Sequence, residues 1–134
     1  MKHLELENEV CYRVYATDDT LNFHTISGKH YQLYHDQNCC ESVYIDDING
    51  DLANLIDTPI LYAVEKSNEG TPEDGESVTW TFYTFRTRKG TVDITWKGES
   101  NGHYSESVDL SIEEEPVPQG IFDKYKEIYP EHLI

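Results

Sequence analysis

The chain has 134 residues and a mass of 15.5 kDa, enough for one domain with a modest core. It carries 26 Asp and Glu against 10 Lys and Arg, a formal net charge of −16, which disfavours direct binding to nucleic acid or to an anionic membrane. Ten Tyr, four Phe and two Trp, spread among Val, Ile and Leu, supply the bulk that a disordered acidic tail would lack.

The opening Met-Lys-His-Leu-Glu-Leu-Glu has no apolar run, so neither a signal peptide nor a membrane segment is expected there. Leu21 to Thr25 and Lys29 to Leu33 flank Ile26-Ser27-Gly28, which suits a three-residue hairpin loop with Gly in the left-handed position. That register pairs Leu21 with Leu33 and Phe23 with Tyr31, and it sets His24 opposite His30 on the other face. Val43 to Ile48 and Ile60 to Glu65 read as strands. Asp51 to Ile56 reads as a short helix after the Asn49-Gly50 turn, with Pro59 just beyond it. Residues 68–76 form an acidic loop containing Gly and Pro.

Arg88-Lys89-Gly90 and Ser100-Asn101-Gly102 fit the same three-residue loop, predicting a meander of strands near 77–87, 91–99 and 103–112. This register gathers Val78, Trp80, Phe82, Thr84, Arg86, Val92, Ile94, Trp96, Tyr104, Glu106, Val108 and Leu110 on one face, with Thr79, Thr81 and Thr95 on the reverse. Past Ile112 an acidic, Pro-containing linker leads to Ile121, Phe122, Tyr125, Ile128 and Tyr129, spaced as a docked amphipathic helix or a partner-binding tail. The expected fold is therefore mainly β: an antiparallel sheet or sandwich of about six to eight strands, with one short helix and a C-terminal helical segment. Residues 1–112 form the single β domain, and residues 113–134 the linker and helical segment.

The charge is segregated. Residues 36–57 hold six acids and no Lys or Arg, residues 65–76 five acids and one base, and residues 99–115 six acids and none, so these stretches account for the whole imbalance. The basic cluster Arg86, Arg88, Lys89 and Lys97 lies around the second hairpin. Such a field steers a protein toward a basic surface, and Asp36, Glu41, Asp46, Asp47, Asp51, Glu99, Glu106 and Asp109 are the candidate contacts. A solvated, soluble surface is the bland account of the same charges.

The densest polar constellation is Tyr34-His35-Asp36-Gln37-Asn38-Cys39-Cys40-Glu41. His35, Cys39, Cys40 and Glu41, with Tyr104 and Glu106, are the candidate ligand or thiol site: a Cys beside an imidazole is a nucleophile in waiting, and His35 with Cys39 has zinc-ligand spacing. The hairpin pair His24 and His30 is only half a site, adjacent cysteines seldom aim at one metal, and no metal site is assigned. Three cysteines, two of them adjacent, make a poor disulfide framework, so free thiols and a reducing, cytoplasmic setting are expected. Glu106, on the predicted apolar face beside Trp96, is the carboxylate that desolvation would perturb, unless it sits where that face runs out into solvent or pairs with an Arg, the commoner arrangement for a charged residue. Asp46 to Asp51 fails as a calcium loop, because counting back from Gly50 puts Ile45 at the first ligand position. No phosphate-binding Gly-rich loop is present in the sequence.

The run from Tyr34 to Val43, continuing to Gly50-Asp51-Leu52, resembles a family of small acidic proteins encoded by bacteriophages and prophages, as do Trp80-Thr81-Phe82-Tyr83, Trp96, Gly98 and Ser100 to Ser105. The resemblance covers about residues 25–112, with His103 standing where an aromatic Tyr is expected. It implies a phage accessory protein working in bacterial cytoplasm on host machinery, and it carries no catalytic or binding residues. The leading expectation is a non-enzymatic protein, without a cofactor, that binds a basic surface of a host defence or nucleic-acid-handling protein, nucleic-acid mimicry being one version. A cysteine-dependent, ligand-binding or metal-binding site around His35 to Glu41, and a phage structural or assembly protein, are the alternatives.

Overall fold

A computed structural model describes residues 1–37, 40–69, 77–101 and 105–133. Among them nine strands form two antiparallel sheets. The five-stranded sheet runs β1 (Lys2–His3), β6 (Tyr62–Glu69), β7 (Ser77–Thr87), β8 (Gly90–Ser100) and β5 (Glu41–Asn49) in spatial order. The four-stranded sheet runs β2 (Cys11–Ala16), β3 (Leu21–Thr25), β4 (Lys29–Tyr34) and β9 (Asp109–Glu114). The fold is thus mainly β, as alternation along the sequence predicts, with β1 and β2 added to the strands read there. A 3-10 turn at Leu52–Leu55, capped by the Asp51 side chain accepting from the Ala53 amide at 2.9 Å, replaces the predicted short helix.

The core lies between the sheets. Leu21 and Phe23 on β3, with Tyr31 and Leu33 on β4, face Tyr83 and Phe85 on β7 and Val92, Ile94 and Trp96 on β8. The Phe23 and Phe85 rings meet across the interface at 5.0 Å. Burying each such side chain stabilises the fold by about 1.5–3 kcal/mol. The first hairpin pairs as expected, Leu21 with Leu33, Phe23 with Tyr31 and His24 with His30, with Gly28 at φ +84° in its loop.

The second hairpin departs from expectation by one residue. Thr87 pairs with Gly90 and Thr81 with Trp96, so Arg88 and Lys89 alone make the turn. A shift of one flips every β7 side chain. Thr81, Tyr83, Phe85 and Thr87 are buried, whereas Phe82 and Arg86, predicted on the core face, point outward. Both alternations of β7 carry two aromatic residues, Trp80 and Phe82 or Tyr83 and Phe85, so alternation alone does not choose between them. The facing sheet chooses, because Phe85 packs on Phe23 across the interface. Of the outward aromatics Trp80 is covered by a cation, Lys97 at 5.2 Å, and Arg86 lies over Tyr62 of β6 at 5.0 Å.

The predicted third strand of the meander is also different. β8 is flanked by β7 and β5, and the chain crosses to the other sheet, where β9 pairs with β4 from Tyr34 opposite Asp109 to Lys29 opposite Glu114. The boundary predicted after residue 112 therefore falls inside a strand, and the expected turn at Ser100-Asn101-Gly102 lies partly outside the described residues. The C-terminal segment is docked. Tyr125, at the end of α1 (Gln119–Tyr125), is buried against Val10 and Ile26, and its hydroxyl donates to the Asp57 carboxylate.

Burial, and then the adjacent carboxylate, raises the pKa of Tyr31, which donates to Glu9 at 2.6 Å, and of Tyr83, which donates to Glu65. Unfolded tyrosines ionise near pH ~10, so the stability these phenols supply is complete below that pH and is lost as pH rises above it. Tyrosinate absorbance followed in an alkaline titration should show Tyr31 and Tyr83 withheld until circular dichroism reports unfolding. Reversible ionisation of both in the folded protein would contradict this.

Candidate functional site

The strands' ends place a polar hub at one end of the sandwich. Glu41, the first residue of β5, pairs across the ladder with Ser100, the last residue of β8, which pairs on its other side with Ser77 of β7. Glu106 then crosses the sheet above Gly98. A Cβ built on Gly98 would stand 2.8 Å from the Glu106 carbonyl oxygen and 2.8 Å from its Cβ, so the crossing needs glycine there. The Glu106 carboxylate accepts from the hydroxyls of Thr79 at 2.7 Å, Ser77 at 3.3 Å and Ser100. The residue is buried, and three hydroxyls take the place of the expected indole or Arg neighbour. Thr79, predicted on the opposite face, supplies the best of them because of the one-residue shift in β7.

His35, just beyond β4, ties this end to the other sheet. Its Nδ1 donates to the Ser107 carbonyl at 2.7 Å, and its Nε2 lies 3.2 Å from Glu41 Oε1. A carbonyl only accepts, so Nδ1 carries a hydrogen, and the second contact needs one more proton shared between imidazole and carboxyl. Both side chains are enclosed, at 3% and 0% exposure. The structure thus gathers His35, Glu41 and Glu106 around one end of the sandwich, with Cys40 and Ser100 bordering an open depression there of about 430 Å³. Cys39 and Tyr104 lie outside the described residues.

Several sequence expectations change here. Cys40 is disulfide-bonded rather than a free thiol, which removes it as a thiolate nucleophile. Cys11 is free, and burial pushes its thiol pKa far up, the signature of an inert core cysteine. Glu41 and Glu106, proposed as surface contacts, are turned inward, where paired hydrogen bonds offset their desolvation. Glu99 bonds Lys97 at 2.9 Å. Asp36, Asp46, Asp47, Asp51 and Asp109 remain exposed.

A second cluster, on the outer face of the four-stranded sheet, was legible only in part. His24 and His30 stack at 4.3 Å with their rings 14° apart, and Glu115, just past β9, reaches His24 Nδ1 at 2.6 Å. Burial, and then the neighbouring His24, lowers the pKa of His30. The sequence signals the histidine pair through hairpin register. Glu115 is missed because its arrival depends on β9 joining β4 instead of β8.

Two antiparallel sheets closed at one end by a buried His–Glu–Ser hub define a β-sandwich. The chain belongs to the family described as a domain of unknown function, DUF7448, whose model matches residues 4–110. No curated protein and no solved structure matches it. No helix among the described residues is long and apolar enough to cross a membrane.

Because Gly98 makes room for Glu106, Gly98→Ala should displace the crossing segment and cost about 1–3 kcal/mol. Urea denaturation of this variant beside the parent reads that loss, and an unchanged midpoint would mean the crossing does not depend on the glycine.

Proposed function

We propose that the protein is a non-enzymatic, phage-type accessory protein that binds a basic surface of a host protein through the acidic edge of its five-stranded sheet. The carrying observation is the state of β5. It is the outermost strand, and its ladder with β8 is interrupted by an irregularity between Ile45 and Asp47, at Asp46. Asp46 and Asp47 are exposed and share a shallow depression of about 320 Å³ with Thr17, Asp18, Ile45 and Ile48. Asp51 follows within a few residues at the start of the 3-10 turn. Among the described residues none of Asp18, Asp46, Asp47 and Asp51 forms an ion pair, and residues 36–57 hold no Lys or Arg to neutralise them.

Unpaired carboxylates on an exposed edge act at a distance, raising the rate of encounter with a cationic surface. A host protein that handles nucleic acid, including one engaged in defence, offers such a surface, and the carboxylates would stand in for phosphates. The family resemblance supports the phage context and bacterial cytoplasm as the setting. Inward-turned Glu41 and Glu106 do not take part, so the contact set contracts to the β5 edge, with Asp36 and Asp109 as outlying charges.

Affinity capture from bacterial lysate tests this. The protein should retain a basic partner at low salt and release it steeply between about 50 and 200 mM salt, as an interface made of several ionic contacts does. The double variant Asp46→Asn, Asp47→Asn should retain markedly less of it. Retention indifferent both to salt and to the double substitution would refute the acidic-edge reading.

A further inference from the structure

We propose that His24, His30 and Glu115 form a binding site for a divalent transition-metal ion of the zinc type, joining the first hairpin to the segment that leads into α1. One donor atom from each of the three lies within 4.8 Å of the other two. Two imidazoles and a carboxylate are a donor set that zinc accepts, leaving a fourth position for water. Ligands of one tetrahedral zinc stand about 3.4 Å apart, so the set closes when the His24 and His30 rings, stacked at 4.3 Å, swing out of parallel.

One observation sets this cluster apart from an ordinary His–Glu hydrogen bond: the support given to His30. Asn22 donates through Nδ2 to Thr20 Oγ1 at 3.1 Å, and its Oδ1 accepts from Gln32 Nε2 at 2.9 Å, which fixes the orientation of its amide. The same Oδ1 lies 2.9 Å from His30 Nε2, so that nitrogen must be the donor and Nδ1 keeps the lone pair. An acceptor that fixes the tautomer of a histidine is the outer support that metal-binding imidazoles normally have.

The surroundings suit a cation. Glu113 stands opposite His30 across the β4–β9 ladder, and Tyr15 stacks on His24 at 5.8 Å. Glu115 is held by its own backbone, its amide donating to the Gly28 carbonyl at 2.8 Å. An ion here would fasten the end of β9 to the hairpin and so steady the connection to α1.

The test uses the full chain, stripped with a chelator and dialysed, then titrated with zinc chloride alone by calorimetry at physiological ionic strength. One equivalent should bind, and His30→Gln and Glu115→Gln should each weaken it by about tenfold or more, as loss of one of three ligands does. Circular dichroism confirms that both variants fold, and His132→Gln should bind as the parent does. Zinc should also raise the thermal midpoint of the parent but not of Glu115→Gln, because binding to the folded state alone stabilises it. Absence of saturable binding would overturn the proposal. So would one equivalent bound equally well by both variants, which would place the ion on other residues.

Discussion

The structure depends on the contact between two aromatic layers. Phe23 and Tyr31 from the small sheet must meet Phe85, Tyr83 and Trp96 from the large one, and all five are almost completely buried. Side chains of that size cannot be accommodated on either face at will: the face that meets the opposing sheet is shielded from water, and the other is not. Which alternation of each strand turns inward is settled there, and the turns adapt. The two-residue turn at Arg88 and Lys89 is the visible consequence.

That constraint decides what remains outside. With Tyr83 and Phe85 inward, Trp80 and Phe82 come to lie on the other face of β7, where Lys97 covers Trp80 and Arg86 covers Tyr62 of the neighbouring β6. Lys89, at the turn, is spent on the Ile56 carbonyl at 2.7 Å. Lys97, paired opposite Tyr44 of β5, is engaged by Glu99 at 2.9 Å, and β5 itself carries no Lys or Arg. Its field is therefore a product of core packing as much as of composition, because the same packing that draws Glu41 and Glu106 inward also sets Asp46 and Asp47 outward.

The crossing from β8 to β9 is the second organising feature. It carries Glu106 over Gly98 into a nest of hydroxyls, brings the Ser107 carbonyl to His35, and delivers Glu115 to His24. A meander would have done none of these. One topological choice thus builds both polar clusters, one enclosed at the end of the sandwich, the other on an outer face.

Local pattern was enough to determine the mainly β class, the first hairpin with its residue-by-residue register, the helical segment near the C-terminus and the place of the Asp51 turn. Each rests on near neighbours: alternation, a glycine at positive φ, a side-chain cap. The sequence also singled out His35 and Glu41, within its densest polar run, and Glu106, which the predicted register set on an apolar face. Tertiary structure alone decided the face of β7, the partner of β9, the inward turn of two carboxylates and the meeting of Glu115 with two histidines. In each case the local pattern allowed more than one arrangement, and contacts between residues far apart in the chain selected one.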